Sequence, residues 1–162
     1  MAGSVSAELL KQLSTASEGL NNVSDIFNDQ IRVIEDALAS YNVGVSAWVP
    51  AFTESYEDCD SEGNVRGIVD TEYSLGYQKS GSRWCLMVAS ECEYGYPPGD
   101  PDRREWVLLD APREIRMKAI NAVPKLIEAL IAEAKRLTTE IAHKTSDARM
   151  LAVSIKPKAK GQ

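Results

Sequence analysis

Apolar residues recur at alternating intervals of three and four near both ends of the chain, and nothing else constrains the fold as much. Near the N-terminus they fall at Leu9, Leu13, Ala16, Leu20, Val23, Phe27 and Ile34. Near the C-terminus they fall at Ile120, Val123, Ile127, Leu130, Ala134, Leu137 and Ile141. This spacing keeps an apolar seam on one side of an α-helix, and such a seam needs a partner to cover it. Two long helices are therefore expected. The first is capped by Ser4 or Ser6 and ends near Ser40, with Gly19 and Asn21-Asn22 marking a place for a kink. At 1.5 Å per residue it would be about 50 Å long. Gln30 occupies a seam position where an apolar residue is due, with Ile31 beside it.

Between the helices the period changes to two. Val43, Val45, Ala47, Val49 and Ala51 alternate, with Trp48 and Phe52 making both faces apolar near the end of that strand. An acidic break follows. Val65, Val69, Thr71, Tyr73, Leu75 and Tyr77 then share one face of a second strand, opposite Arg66, Asp70, Glu72, Ser74 and Gln78. Lys79-Ser80-Gly81-Ser82 is a turn, and Trp84, Leu86, Val88, Ser90 and Cys92 line one face of the return strand. Residues 94–104, rich in proline and glycine, read as a loop, and Glu105–Leu109 as a short fourth strand. Asp110 is expected to cap the second helix, with Pro112 in its first turn and Pro124 bending or dividing it. That helix pattern runs to about His143. Residues 147–155 fit a short helix and an edge strand equally, and 156–162 form a basic tail expected to be disordered.

The fold class is therefore α+β. A long N-terminal helix, an antiparallel meander of three or four strands and a long bent C-terminal helix form one domain over 1–155. The two helices are expected to lie antiparallel on one face of the sheet. A four-stranded sheet is only about 15–20 Å across, so a 50 Å helix must overhang it. The surplus seam would be covered by the other helix or by a second copy, which makes a homodimer the expected assembly.

Net charge is −6 over 162 residues, unevenly spread. Residues 1–53 hold six acids and two bases, 54–105 twelve acids and five bases, and 106–162 six acids and eleven bases. An acidic first helix beside a basic last one accounts for this, and an acidic protein gains little from general attraction to nucleic acid. No apolar run approaches the roughly 20 residues that span a bilayer, so neither nucleic acid nor membrane is an expected partner. Cys59, Cys85 and Cys92 are odd in number and lack metal or redox spacing, which fits a cytoplasmic location.

Catalytic signatures are missing. There is one histidine, His143, placed in the last turn of the expected helix, and no phosphate-binding glycine loop, nucleophile elbow or zinc-protease motif. Asp58, Asp60 and Glu62 alternate before Gly63, as the first calcium ligands of an EF-hand do. The twelfth position, however, is Val69 rather than a bidentate Glu, so no cofactor is expected beyond a weak fit to Ca²⁺. Asp70, Glu72, Glu91 and Glu93 suit a solvated sheet face better than a carboxylate pair. Arg103, Arg104, Arg113 and Arg116 form the best basic patch and are candidates for an anion. Tyr73, Tyr77, Trp84, Tyr94, Tyr96 and Trp106 form an aromatic set around the strands, suited to a protein-binding surface.

Two function classes follow. The first is a non-catalytic interaction protein (adaptor, regulator or inhibitor) that dimerises through its helices and meets another protein through an acidic, aromatic-rich surface. The second is an enzyme or small-ligand binder with an Asp/Glu/Tyr/Arg pocket between sheet and helices, marked by Arg113 or Arg116 meeting Asp70, Glu72 or Tyr77.

Overall fold

A computed structural model of the protein describes residues 6–92 and 102–155. Its elements run α1 (Ala7–Ser40), β1 (Ala47–Cys59), β2 (Val65–Ser80), β3 (Arg83–Cys92), β4 (Asp102–Val107), α2 (Arg113–Ala119) and α3 (Val123–Ser154). The four strands form one antiparallel sheet in the order β1-β2-β3-β4, so each pairs with its neighbour in sequence. The architecture is the expected α+β, with both long helices on one face of a meander.

Ser6 caps α1, its hydroxyl accepting the Leu9 N–H at 3.3 Å. The helix then runs unbroken through Gly19 and Asn21-Asn22. Where α1 crosses the sheet, Ile31 rather than Gln30 enters the core, with Leu38 behind it. Below the helices, Leu75, Tyr77, Leu86 and Val88 form the floor, and Val123, Leu126 and Leu130 press down from α3. Leu108, Ala111, Ala119 and Ala122 fill the space beneath the connecting segment.

Strand β1 is longer than its hydropathy suggests. The acidic stretch from Glu54 to Cys59 is strand, paired with Val65–Thr71, and only Asp60–Asn64 turn. An irregularity between Pro50 and Phe52 explains why alternation fails there. Val49 lies opposite Leu75 and Phe52 opposite Tyr73, so the extra residue Ala51 brings Phe52 onto the helix-covered face. There it stacks on Tyr73 with ring centroids 4.4 Å apart.

The two long helices run in the same direction, not antiparallel. Call the end of the sheet at the β1–β2 turn its lower end and the end at the β2–β3 turn its upper end. Ser24 of α1 is held by Arg113, while eleven residues later Glu35 reaches Leu86 near the upper end. Strand β4 also ends near the upper end, where Val107 pairs with Met87. Residues 108–122 then carry the chain back down over the sheet, where Lys118 ion-pairs with Glu54 at 2.6 Å. From there α3 climbs over β1 and β2, and α1 climbs over β3. The reversal is the work of α2, a separate short helix in place of the first part of the expected longer one.

Other local expectations shift for identifiable reasons. Asp110 lies in a 3₁₀ turn, and α2 starts after Pro112 without a side-chain cap. Pro124 sits in the first turn of α3, where its missing N–H costs nothing, so it divides α2 from α3 rather than bending one helix. Residues 147–154 continue α3, so His143 lies well inside the helix and exposed, not in its last turn. Strand β4 begins at Asp102, three residues earlier than expected, and Leu108-Leu109 leave it as a 3₁₀ turn. The expected loop over 94–104 falls largely outside the described residues, as does the tail 156–162.

Candidate functional site

Because α1 and α3 climb together, their uncovered parts lie at opposite ends of the helix pair: residues 7–23 at the start of α1, and the residues beyond Leu137 at the end of α3. Every residue from Ser6 to Val23 is exposed, including the seam residues Leu9, Leu13, Leu20 and Val23, each more than half exposed. On α3, Ile141 and Leu151 are likewise exposed, as is Ile155 just after it. A continuous apolar row therefore passes from the core onto an uncovered helix at each end.

A second feature is an apolar cleft of about 900 Å³ where the α1–β1 connection meets α3. Tyr41 and Val43 form one wall, and Ile127, Ile131, Ala134 and Thr138 the other, with Lys135 at the rim. Here α1 stops while α3 continues, so the flank of α3 loses its neighbour.

A smaller cleft of about 330 Å³ opens beside α2 near the lower end. Tyr56, Tyr73 and Trp106 wall it, Thr71, Ser90 and Cys92 line its floor, and Arg104, Pro112 and Ile115 edge it. Thr71 and Ser90 are buried hydroxyls, and the Tyr56 hydroxyl lies 3.6 Å from Cys92 Sγ. Burial, with a smaller effect from the Glu54 carboxylate, pushes the Tyr73 phenol above its ordinary value, so at neutral pH it is a neutral donor.

The structure separates the aromatic set. Tyr77 is buried, and Trp84 stacks on it at 5.5 Å between centroids, both contributing to the core under the helices. Tyr73 and Trp106 meet only at the small cleft, and Tyr94 and Tyr96 lie outside the described residues. The arginines are also dispersed. Arg103 lies on the outer face, bonded to Glu91 at 2.7 Å and Glu105 at 2.8 Å, with its guanidinium 5.6 Å from the Trp48 ring. Arg104 points to the opposite face. Arg113 donates to Ser24 and Asn21 on α1, and Arg116 donates to the carbonyls of Leu109 and Ala111. Neither of these last two meets Asp70, Glu72 or Tyr77 in any of those bonds; Asp70 accepts from Ser55 instead.

Asp60 is held within its own turn. Its carboxylate accepts the N–H groups of Glu62 and Asn64 and the Asn64 side chain, bonds that hold it below the ordinary carboxylate range. Asp58 and Glu62 stay exposed on either side. Among the described residues no group of three or more His, Cys, Asp or Glu side chains could hold a metal ion, and no helix is long and apolar enough to cross a membrane.

Periodicity gave no sign of Glu35. Only 8 % exposed, it accepts the Leu86 N–H at 2.9 Å, and burial raises its carboxyl above the ordinary value while Arg83 pulls it back. It edges a narrow recess with Asp36, Ala39, Arg83 and Trp84. Trp48 was read only as making both faces of its strand apolar; its indole lies across Gly76 on the outer face, over a patch where Cys85, Met87 and Ala89 are buried. The absence of a side chain at residue 76 was the available signal.

No protein-family model matches the chain, and comparison with curated proteins and with solved structures finds no match.

Proposed function

We propose that this protein is a non-catalytic interaction protein, an adaptor, regulator or inhibitor, that works as a helix-mediated homodimer. The observation that carries the reading is the run of uncovered seam residues on the first half of α1. Exposed apolar rows of this length are unusual on a monomer and mark association surfaces. The acidic β1–β2 hairpin is the face we assign to another protein. It carries exposed Glu57, Asp58, Glu62 and Asp70 together with exposed Val65 and Ile68, a combination suited to a basic partner with an apolar spot. Three free thiols support a cytoplasmic setting.

Light scattering after size exclusion, over a dilution series at low and high salt, tests the reading. The expected mass is near twice 17.8 kDa and is retained in high salt, since an apolar seam is not screened. A monomer throughout would overturn it.

A second reading, small-ligand binding, rests on the cleft beside α2, whose aromatic walls and two buried hydroxyls have the composition of a ligand pocket. Fragment-induced NMR shifts confined to Thr71, Ser90 and Cys92 would favour it; none across a diverse set would leave the interaction reading alone.

A further inference from the structure

We infer that the partner of the uncovered half of α1 is the same segment of a second copy, packed antiparallel with its two-fold axis at Ala16. The inference rests on the self-association proposed above and specifies its surface, orientation and register.

The seam in this segment is strictly heptad, with Leu9, Ala16 and Val23 in one row and Leu13 and Leu20 in the other. The second row continues by sevens into Phe27 and Ile34, which pack on the core, so it faces the side occupied further on by the sheet. In the same frame, the positions flanking the seam are Leu10, Ser17, Gln12 and Gly19, all uncharged. The charges of the segment, Glu8, Lys11 and Glu18, lie on the far side. Two copies can therefore meet seam to seam with no like charges opposed. The uncovered half of α3 is a poorer candidate for self-pairing, because Lys144 follows Leu137 by seven in its own row.

Orientation follows from excluded volume. From Ser24 onward the seam side of α1 is filled by its own sheet and α2. In a parallel pair both bodies would sit at the same level between the two helices and would collide. In an antiparallel pair each body begins level with the first turn of the other copy's α1. The seam is self-complementary in that direction. With Ala16 facing its symmetry mate, Leu9 lies opposite Val23 of the second copy, and Leu13 lies opposite Gly19 with Leu20 of the second copy one position further on. Small Ala16 and Gly19 leave the axis open to close approach.

The experiment uses cysteine substitutions in the full chain carrying Cys59→Ser, which removes the one exposed native thiol. Mild oxidation is expected to link Ala16→Cys chains into a disulfide dimer and to leave Leu9→Cys chains unlinked, while mixing Leu9→Cys with Val23→Cys gives the crossed dimer. In parallel, Leu13→Glu with Leu20→Glu is expected to weaken the dimer at least tenfold without loss of helical circular dichroism, since both side chains are exposed in the single chain. Linking of Leu9→Cys to itself would overturn the antiparallel assignment. A dimer indifferent to the glutamates would overturn the α1 interface while leaving self-association standing. A wild-type monomer at every concentration would overturn both.

Discussion

Leu86 lies one position past the last pair between β3 and β4, and its amide turns instead to Glu35 on α1. A buried N–H without an acceptor costs about 1–3 kcal/mol, so Glu35→Ala should lower unfolding free energy by that order in urea titrations. Glu35→Gln keeps an acceptor oxygen and should cost less. The two proteins should also differ in pH response. Desolvation raises the Glu35 carboxyl in the folded state, so the folded protein binds this proton more tightly than the unfolded chain. Its contribution to stability is complete below the ordinary carboxylate value of 4.5 and is lost as pH rises through the raised value. Relative to Glu35→Gln, the wild type should therefore lose stability from about pH 4.5 upward. A flat difference would mean that burial does not govern this carboxyl.

Among the elements, the outer face of the sheet carries a small second core around Trp48, although hydropathy assigned that face of β2 to water. The Trp48 indole covers Gly76, and a Cβ at that position would overlap the ring. Overpacking of this kind costs about 1–3 kcal/mol. Gly76→Ala should show that loss by thermal or urea unfolding, and most of it should vanish in a Trp48→Ala background, because the two changes share one contact. Equal costs in both backgrounds would place the strain elsewhere. The same elements show what was legible beforehand. Strands β2 and β3 and the bulk of α1 were plain, because period and burial coincide: each apolar position of Thr71–Tyr77 faces the helices. The acidic half of β1 was not legible, since its side chains face water on an extended hairpin and pairing leaves no apolar trace. Helix α2 was legible only as the start of a longer helix, marked by Asp110 and Pro112 and bent or divided at Pro124, because seven residues are too few for a period to show that it stands apart. The direction of α3 was lost with it. The site residues fared worse. Tyr77 and Trp84 have the composition of a binding surface, but only the placement of α1 decides that they are covered.

At the scale of the whole molecule, stability should be graded along the helices. Residues 24–38 of α1 rest on β3 and on Arg113 of α2, whereas residues 7–23 are exposed throughout, with Asn21 bonded to Arg113. Amide hydrogen exchange on a dilute, monomeric sample should show protection from about Ile31 to Leu38 and fast exchange before Val23. At concentrations that favour the pair, protection should spread to Leu13 and Leu20. Protection in that half that does not depend on concentration would show that the helix needs no second chain.

The contacts that anchor α1 are also distant in sequence: Glu35 and Leu86 are 51 residues apart, and Ser24 and Arg113 are 89 apart. On the ribosome α1 is made first, at about 5–20 residues per second, and its docking surfaces are made last. For several seconds the nascent helix has no intramolecular place to go, while neighbouring ribosomes on the same message display identical helices. On the pairing proposed above, association between nascent chains would precede the completion of either fold, and assembly would be set by the order of synthesis.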